Sequence, residues 1–174
     1  MRPTREQFRQ ADQTYFVTFQ TARRQPLFRH ERWANLLLET FERHQDEFQL
    51  HDFVIMPDHV HLLVSPHAPI ERIVQLIKGG YSFSARKAFQ WNADIWQAGF
   101  SNHRIRDHAD SLQHIAYIQQ NIARLREDNY EFCGVRSRLF LSPLPQWLKP
   151  LDIGGTDGGA KAPPLPMQRD RPGA

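Results

Sequence analysis

Cysteine is nearly absent. Cys133 is the only one among 174 residues, so no disulfide can form within the chain and a thiolate-rich zinc site is excluded. Long apolar runs are missing too, and no stretch approaches the roughly 20 residues that a helix needs to cross a bilayer. The opening M-R-P-T-R-E-Q-F-R-Q is charged and polar and lacks the apolar core of a secretory signal. These absences predict a cytoplasmic protein with no membrane partner.

What is present is ordinary for a soluble domain. Apolar residues make up 40% of the chain, and the length suffices to bury a sizeable core. The formal charge is +3 and the pI about 9.3. Nine histidines add latent positive charge. That balance is compatible with an anionic partner without requiring one. Beyond Ser142 the composition shifts to S-P-L-P-Q-W-L-K-P and then G-G-T-D-G-G-A-K-A-P-P-L-P-M, where no periodicity survives. The expectation is one domain over 1–149 and a disordered Gly/Pro-rich tail over 150–174.

The domain reads as alternating elements. T-Y-F-V-T-F-Q-T (14–21) is β-branched and aromatic, as a strand requires. A helix follows over 30–46, with Trp33, Leu36, Leu37 and Phe41 on one face. Strands are expected at 48–56 and 59–65, broken by Pro57-Asp58. A second helix begins near Pro69 with Ile70, Ile73, Val74 and Ile77 as its buried stripe, weakened or bent at Gly79-Gly80. A fourth strand is expected over 103–107 and a last helix over 110–127. The order β-α-β-β-α-β-α predicts an α+β, ferredoxin-like (split βαβ) antiparallel sheet with helices on one face, plus a C-terminal helix bearing a tyrosine. The other sheet face is left for a site or ligand.

Two stretches stand out. In V-I-M-P-D-H-V-H-L-L-V (54–64), His59 and His61 are two apart in a strand, so they share one surface while Val60, Leu62 and Val64 point into the core. Two imidazoles side by side suit a divalent metal, although two half-exposed strand histidines would give the same pattern. In the last helix, Leu112, Ile115, Ile118, Ile122 and Leu125 form one stripe at about 100° per residue. His114, Tyr117 and Asn121 lie just off its edge, with Tyr117 and Asn121 stacked one turn apart. A border tyrosine with a solvated asparagine would look alike.

Taken together, M-P-D-H-V-H-L-L-V (56–64), I-W-Q-A-G-F-S-N-H-R-I-R-D (95–107) and H-I-A-Y-I-Q-Q-N (114–121) resemble the REP-associated tyrosine transposases. Those are a branch of the IS200-like single-tyrosine transposases within the HUH endonucleases. Y-F-V-T-F-Q-T-A-R-R-Q-P-L-F also fits, so the resemblance spans roughly 12–138. It implies that His59 and His61 are the metal-binding pair and Tyr117 the nucleophile. Asn121 matches the position completing the metal site, with Gln120 as second choice. Family members often read N-P-V where this chain has Asn121-Ile122-Ala123, so the helix is expected to continue past the point where proline would end it.

The implied chemistry is single-strand DNA cleavage and rejoining beside palindromic hairpins through a 5′-phosphotyrosine. Free tyrosine titrates near about 10, so its phenol needs help at neutral pH. A divalent ion, Mg2+ or Mn2+, polarises and positions the phosphate. His114, one turn from Tyr117, is a candidate proton acceptor. Lys78, Arg86, Lys87, Arg104, Arg106 and Arg124, with Arg126, Arg136 and Arg138, are candidate contacts to a hairpin backbone. Trp91, Trp96 and Phe100 are candidate stacking platforms, Trp96 being equally a core residue. The resemblance leaves monomer and homodimer both open. Three rivals remain: a domesticated, non-catalytic hairpin-DNA-binding descendant, an RNA-binding sheet of the same fold, and a metal hydrolase. The RNA-binding sheet would need outward aromatics where the histidines stand. The hydrolase would need carboxylate ligands, of which only Asp58 is near.

Overall fold

The computed structural model describes residues 13–127; the expected tail, Arg136 and Arg138 lie outside the described residues. Strands Tyr15–Gln20 (β1), Phe48–Ile55 (β2), His59–Pro66 (β3) and Ser101–Arg104 (β4) form one sheet. Its order is β2-β3-β1-β4, with every neighbouring pair antiparallel. Helices Glu31–Arg43 (α1), Ile70–Phe89 (α2) and His108–Glu127 (α3) complete the fold. β3 is inserted between β1 and β2, which is the split βαβ arrangement.

Alternation along the strands separates two layers. Val17 and Phe19 of β1 and Val60, Leu62 and Val64 of β3 join the principal core, where Trp33, Leu37 and Phe41 of α1 meet Ile73, Ile77 and Tyr81 of α2. The Tyr81 hydroxyl donates to the Trp33 carbonyl at 3.1 Å, which satisfies it inside this layer. α2 runs unbroken through Gly79-Gly80, without the bend that was one of the two expected outcomes. At Gly80 the reason is contact: an added Cβ would lie 2.9 Å from His44 Nε2 at the end of α1. The small residue lets the helices approach.

α3 crosses the opposite face. Ile118, Ile122 and Leu125 pack with Val54, Leu63 and Ile105, so the face expected to be free is covered there. The predicted stripe begins too early, because Leu112 is exposed. In the first turns of α3 the inward positions fall to Asp110, Ser111 and His114, which stand over the polar edge strand. That strand also differs from expectation. β4 is S-N-H-R at Ser101–Arg104, paired from Thr18↔Ser101 to Tyr15↔Arg104. Residues 105–107 instead form the turn into α3, where Asp107 Oδ1 accepts the Asp110 amide at 2.9 Å as a helix cap.

Candidate active site

The turn M-P-D-H is tied to its neighbours through the backbone. The Asp58 carbonyl accepts both the amide and the hydroxyl of Thr21, at 2.8 and 2.9 Å, and the Pro57 carbonyl accepts the Phe28 amide at 3.0 Å. These bonds hold the start of β3 against the end of β1. The register Gln20↔His59 and Thr18↔His61 then places both histidines on the face that α3 partly covers. Their ring centroids are 4.8 Å apart.

Each histidine has an outer partner on Nδ1. His59 Nδ1 lies 2.6 Å from Asp58 Oδ1, and His61 Nδ1 lies 2.7 Å from Thr18 Oγ1. The Asp58 carboxylate is thus engaged by the His59 ring on the Nδ1 side. Burial raises the Asp58 carboxyl, but its bond to His59 and the Arg24 guanidinium at 3.4 Å outweigh this and hold it below the usual carboxylate range. His61 is buried, and burial with the neighbouring His59 pushes it down to about 3. Its imidazole is therefore neutral at physiological pH. His61 Nε2 is buried with no hydrogen-bond partner among the described residues. In the tautomer whose Nδ1–H donates to Thr18 Oγ1, Nε2 carries a lone pair and no proton. Two imidazoles side by side, each with Nδ1 anchored by an outer partner, leave their Nε2 atoms as the candidate donors to a divalent cation.

Tyr117 comes from α3, and its ring stands 5.1 Å from that of His61, edge to face. Phe16 packs beneath, 5.3 Å from His61 and 5.9 Å from Tyr117. His59, His61 and Tyr117, with Thr18, Gln20, Arg24, Gly99 and Ser101, line one open cavity of about 430 Å³. Asn121 is buried one turn on, donating its Nδ2 to the Tyr117 carbonyl at 2.9 Å, and it is not among the cavity-lining residues. Gln120 is exposed. His114 also turns away from the cavity: its Nδ1 lies 2.8 Å from the Asp110 carbonyl and its ring packs on Phe16.

Residues 10–121 match the family model described as "Transposase IS200 like", which spans more than half of the chain. The chain belongs to the IS200-like transposase family. Among solved structures, a REP-associated tyrosine transposase bound to a REP hairpin matches with a TM-score of 0.56 at 19% identity, covering 75% of this chain and 76% of that one. At that identity the likeness speaks for the fold. A putative transposase from Deinococcus radiodurans R1 matches at 23% identity with a TM-score of 0.47, covering 71% of this chain and 97% of that one. A search of curated proteins found no match.

Ala98, Gly99 and Phe100 of this transposase-family chain line the cavity, and residues 95–97 tie them to the end of β1. The Ala22 and Gln97 amides donate to the Ile95 and Gln20 carbonyls, at 2.8 and 2.9 Å. Gly99 adopts φ +74°, a conformation that glycine takes without strain. Lys78 is engaged here: its ammonium donates to the Gln97 and Gly99 carbonyls at 2.7 and 2.9 Å, and burial lowers its pKa. It braces the wall. Arg86 and Lys87 lie on the last turn of α2, in the layer across the sheet from the imidazoles. Arg104 and Arg106 both fall in the strand expected over 103–107, but β4 ends at Arg104 and Arg106 belongs to the following turn, so they do not lie on one strand. Arg124 is exposed on α3. None of these six basic residues lines the cavity. Trp96 is anchored by its Nε1–H on the Lys78 carbonyl at 3.1 Å and packs edge-on against Phe19, as a core residue does. Trp91 packs edge-on against Trp33, and Phe100 lines the cavity.

Sequence reasoning missed Arg24 and Thr18. Arg23 and Arg24 take φ of 54° and 55°, a left-handed turn that costs non-glycine residues. That turn brings Arg24 to Asp58 and into the cavity wall. The R-R dipeptide after a strand was its only trace. Thr18 left a clearer one, as a hydroxyl alternating with buried Val17 and Phe19.

Among the described residues no helix is long and apolar enough to cross a membrane.

Proposed function

We propose that the chain is a metal-dependent single-strand DNA endonuclease and transposase that cuts and rejoins DNA beside a palindromic hairpin, with Tyr117 as nucleophile. The observation that carries this reading is the shared cavity: a phenol from α3 stands 5.1 Å, ring to ring, from one of two metal-competent imidazoles on the sheet. Membership of a transposase family supports DNA as the substrate, and the neighbour solved with a REP hairpin supports a hairpin as its form.

In this reading the Tyr117 oxygen attacks phosphorus and the bond from phosphorus to the 3′ oxygen breaks. The phenolic proton passes to water in the open cavity, and the departing 3′ oxygen takes up a proton to become a hydroxyl. The 5′ phosphate stays on Tyr117, so another 3′ hydroxyl can reverse the step and join strands without an external energy source. His59 and His61 would hold a divalent ion such as Mn2+ or Mg2+, which when bound polarises and positions the scissile phosphate. Asn121 is the family-matched third ligand. To reach the pair, its amide would have to leave the Tyr117 carbonyl. Arg24, in the cavity wall, is placed to meet an incoming phosphate once it parts from Asp58.

The test is incubation of the full chain with a hairpin oligonucleotide carrying a single-stranded flank, with Mn2+. An SDS-resistant protein–DNA adduct is expected with the wild type and none with Tyr117→Phe. Hairpin binding with no adduct from the wild type would support the non-catalytic alternative instead.

A further inference from the structure

We propose a second divalent-cation site, formed by His103, Asp110 and His114, that takes a zinc-class ion and pins α3 to the edge strand. The three residues converge from two elements. His103 is on β4, opposite Phe16 in the register and therefore on the face that α3 covers. Asp110 and His114 are four apart on α3, one turn above the other on the same side of the helix. One ligand atom from each residue can be chosen so that all three lie within 4.8 Å of one another.

Individual distances are closer still. His103 Nε2 is 2.8 and 3.1 Å from the two Asp110 oxygens, and His114 Nδ1 is 3.3 Å from Asp110 Oδ1. Donors about 2.0–2.1 Å from a tetrahedral zinc stand roughly 3.3 Å from each other. The spacings to Asp110 run from 2.8 Å up to that value, so small side-chain rotations make room for the ion between them. The two imidazoles are already stacked, with centroids 4.8 Å apart and planes 19° from parallel.

The donor set decides the class of ion. Two nitrogens and one carboxylate, with no thiolate, suit zinc, cobalt or manganese, whereas magnesium prefers oxygen ligands throughout. The carboxylate is preorganised: Asp110 Oδ2 accepts the Arg106 amide at 3.0 Å, and the Asp110 amide is itself held by Asp107. All three side chains are partly screened from solvent, Asp110 most of all at 16% exposure. On binding, His114 Nδ1 would exchange its contact with the Asp110 carbonyl for the ion.

This site is separate from the His59–His61 pair, with Phe16 packed against both His61 and His114. Its consequence is positional. Tyr117 follows His114 by three residues on the same helix, so an ion fixing His114 to β4 fixes the height and rotation at which Tyr117 meets His61. The site stands on its own geometry and does not depend on the proposed DNA chemistry.

Zinc binding to the metal-stripped full chain tests it, read by equilibrium dialysis with elemental analysis. The His59→Ala/His61→Ala chain is expected to retain one zinc per molecule and to gain thermal stability from it. Adding His103→Gln or Asp110→Asn should weaken binding at least 100-fold and remove the thermal shift. Because Asp110→Asn disturbs the start of α3, a measurement without further substitutions accompanies it. In the His59→Ala/His61→Ala chain, zinc should protect His103 and His114 from histidine acylation, mapped by mass spectrometry. A chain lacking the pair that binds no zinc, or equal acylation with and without it, would show a hydrogen-bonded cluster only and overturn the proposal.

Discussion

Thr18→Val isolates the smallest part of the proposed metal centre that still makes a quantitative claim. Valine keeps the β-branched shape and strand preference of threonine and removes only the hydroxyl. That hydroxyl stands 2.7 Å from His61 Nδ1, on a ring stacked against Phe16 and almost fully buried. Without it, nothing selects the tautomer that leaves Nε2 as the donor atom, and Nδ1 loses its partner. Leaving a buried polar atom unpaired costs about 1–3 kcal/mol. Losing the outer partner of a metal-binding histidine lowers affinity about 10–100-fold, which is about 1.4–2.7 kcal/mol. The two figures overlap. Thr18 itself lines the open cavity, so water can replace part of the lost bond, and the effect should fall near tenfold. The assay is a Mn2+ titration followed by the resonance signal of the free ion, in an Asp110→Asn background so that only the ion at the pair is counted. Thr18→Ser, which restores the hydroxyl, should return to within about twofold of the parent. A Thr18→Val chain that binds Mn2+ as tightly as its parent would refute the assignment of Nε2 of His61 as a ligand atom.

Two further outcomes concern the scaffold. Gly79→Ala should stabilise α2 by roughly 0.5–1 kcal/mol, since a new Cβ meets nothing within 4 Å, whereas Gly80→Ala should gain less because its Cβ would have to displace the His44 ring 2.9 Å away. Equal melting temperatures for the two variants would contradict the account of the α1–α2 approach. His51 is half-buried on β2 beside Ser65, and its partial burial pushes the imidazole from the ordinary 6.5 down to about 4. The unfolded chain therefore binds more protons between those values, so stability is full above pH 6.5 and falls as pH drops towards 4, by at most about 1.4 kcal/mol per pH unit from this group. Urea midpoints across that range should decline less steeply in His51→Gln, and an unchanged slope would exclude His51 as the source.

Much of the arrangement was legible where the information is local. The spacing of His59 and His61 sets their shared face whatever the strand pairs with, and Ile118, Ile122 and Leu125 declare the buried side of α3 through periodicity alone. The failures are non-local. S-N-H-R carries no alternation, because an edge strand of polar residues is defined by its pairing with β1 and not by its own pattern. Leu112 obeys the helical period yet is exposed, because the surface beneath that turn is His103 rather than an apolar strand. Lys78 looks like a free cation at the end of a stripe, and only the folded chain brings the carbonyls of Gln97 and Gly99 to it. Thr18 is separated from His61 by 43 positions, so their bond depends on the β1–β3 register.

The two layers differ in a way that matters for catalysis. The imidazole pair is carried by strands embedded in the larger core, which α1 and α2 close with about a dozen large side chains. Among the described residues, Tyr117 is carried by a helix held to the sheet by a smaller cluster, Val54, Leu63, Ile105, Ile118, Ile122 and Leu125, with Phe16, Met56 and Ile115 packed against it, and by the polar contacts of Asp110 and His114. Apolar area removed from water sets how firmly each element is held, so opening of α3 costs less than opening of the sheet. The metal ligands are thus the fixed half of the proposed reaction centre and the nucleophile its adjustable half. In the proposed mechanism, which cuts one strand and accepts a different end, a phosphotyrosine would shift with α3 while the pair stays in place. Since the buried apolar residues of α3 lie in its later turns and only the partly buried Ile115 joins them before Tyr117, the polar group at its first turn adds to the hold on Tyr117, and for that reason the contacts of His103 with Asp110 bear on the proposed reaction although neither residue lines the cavity.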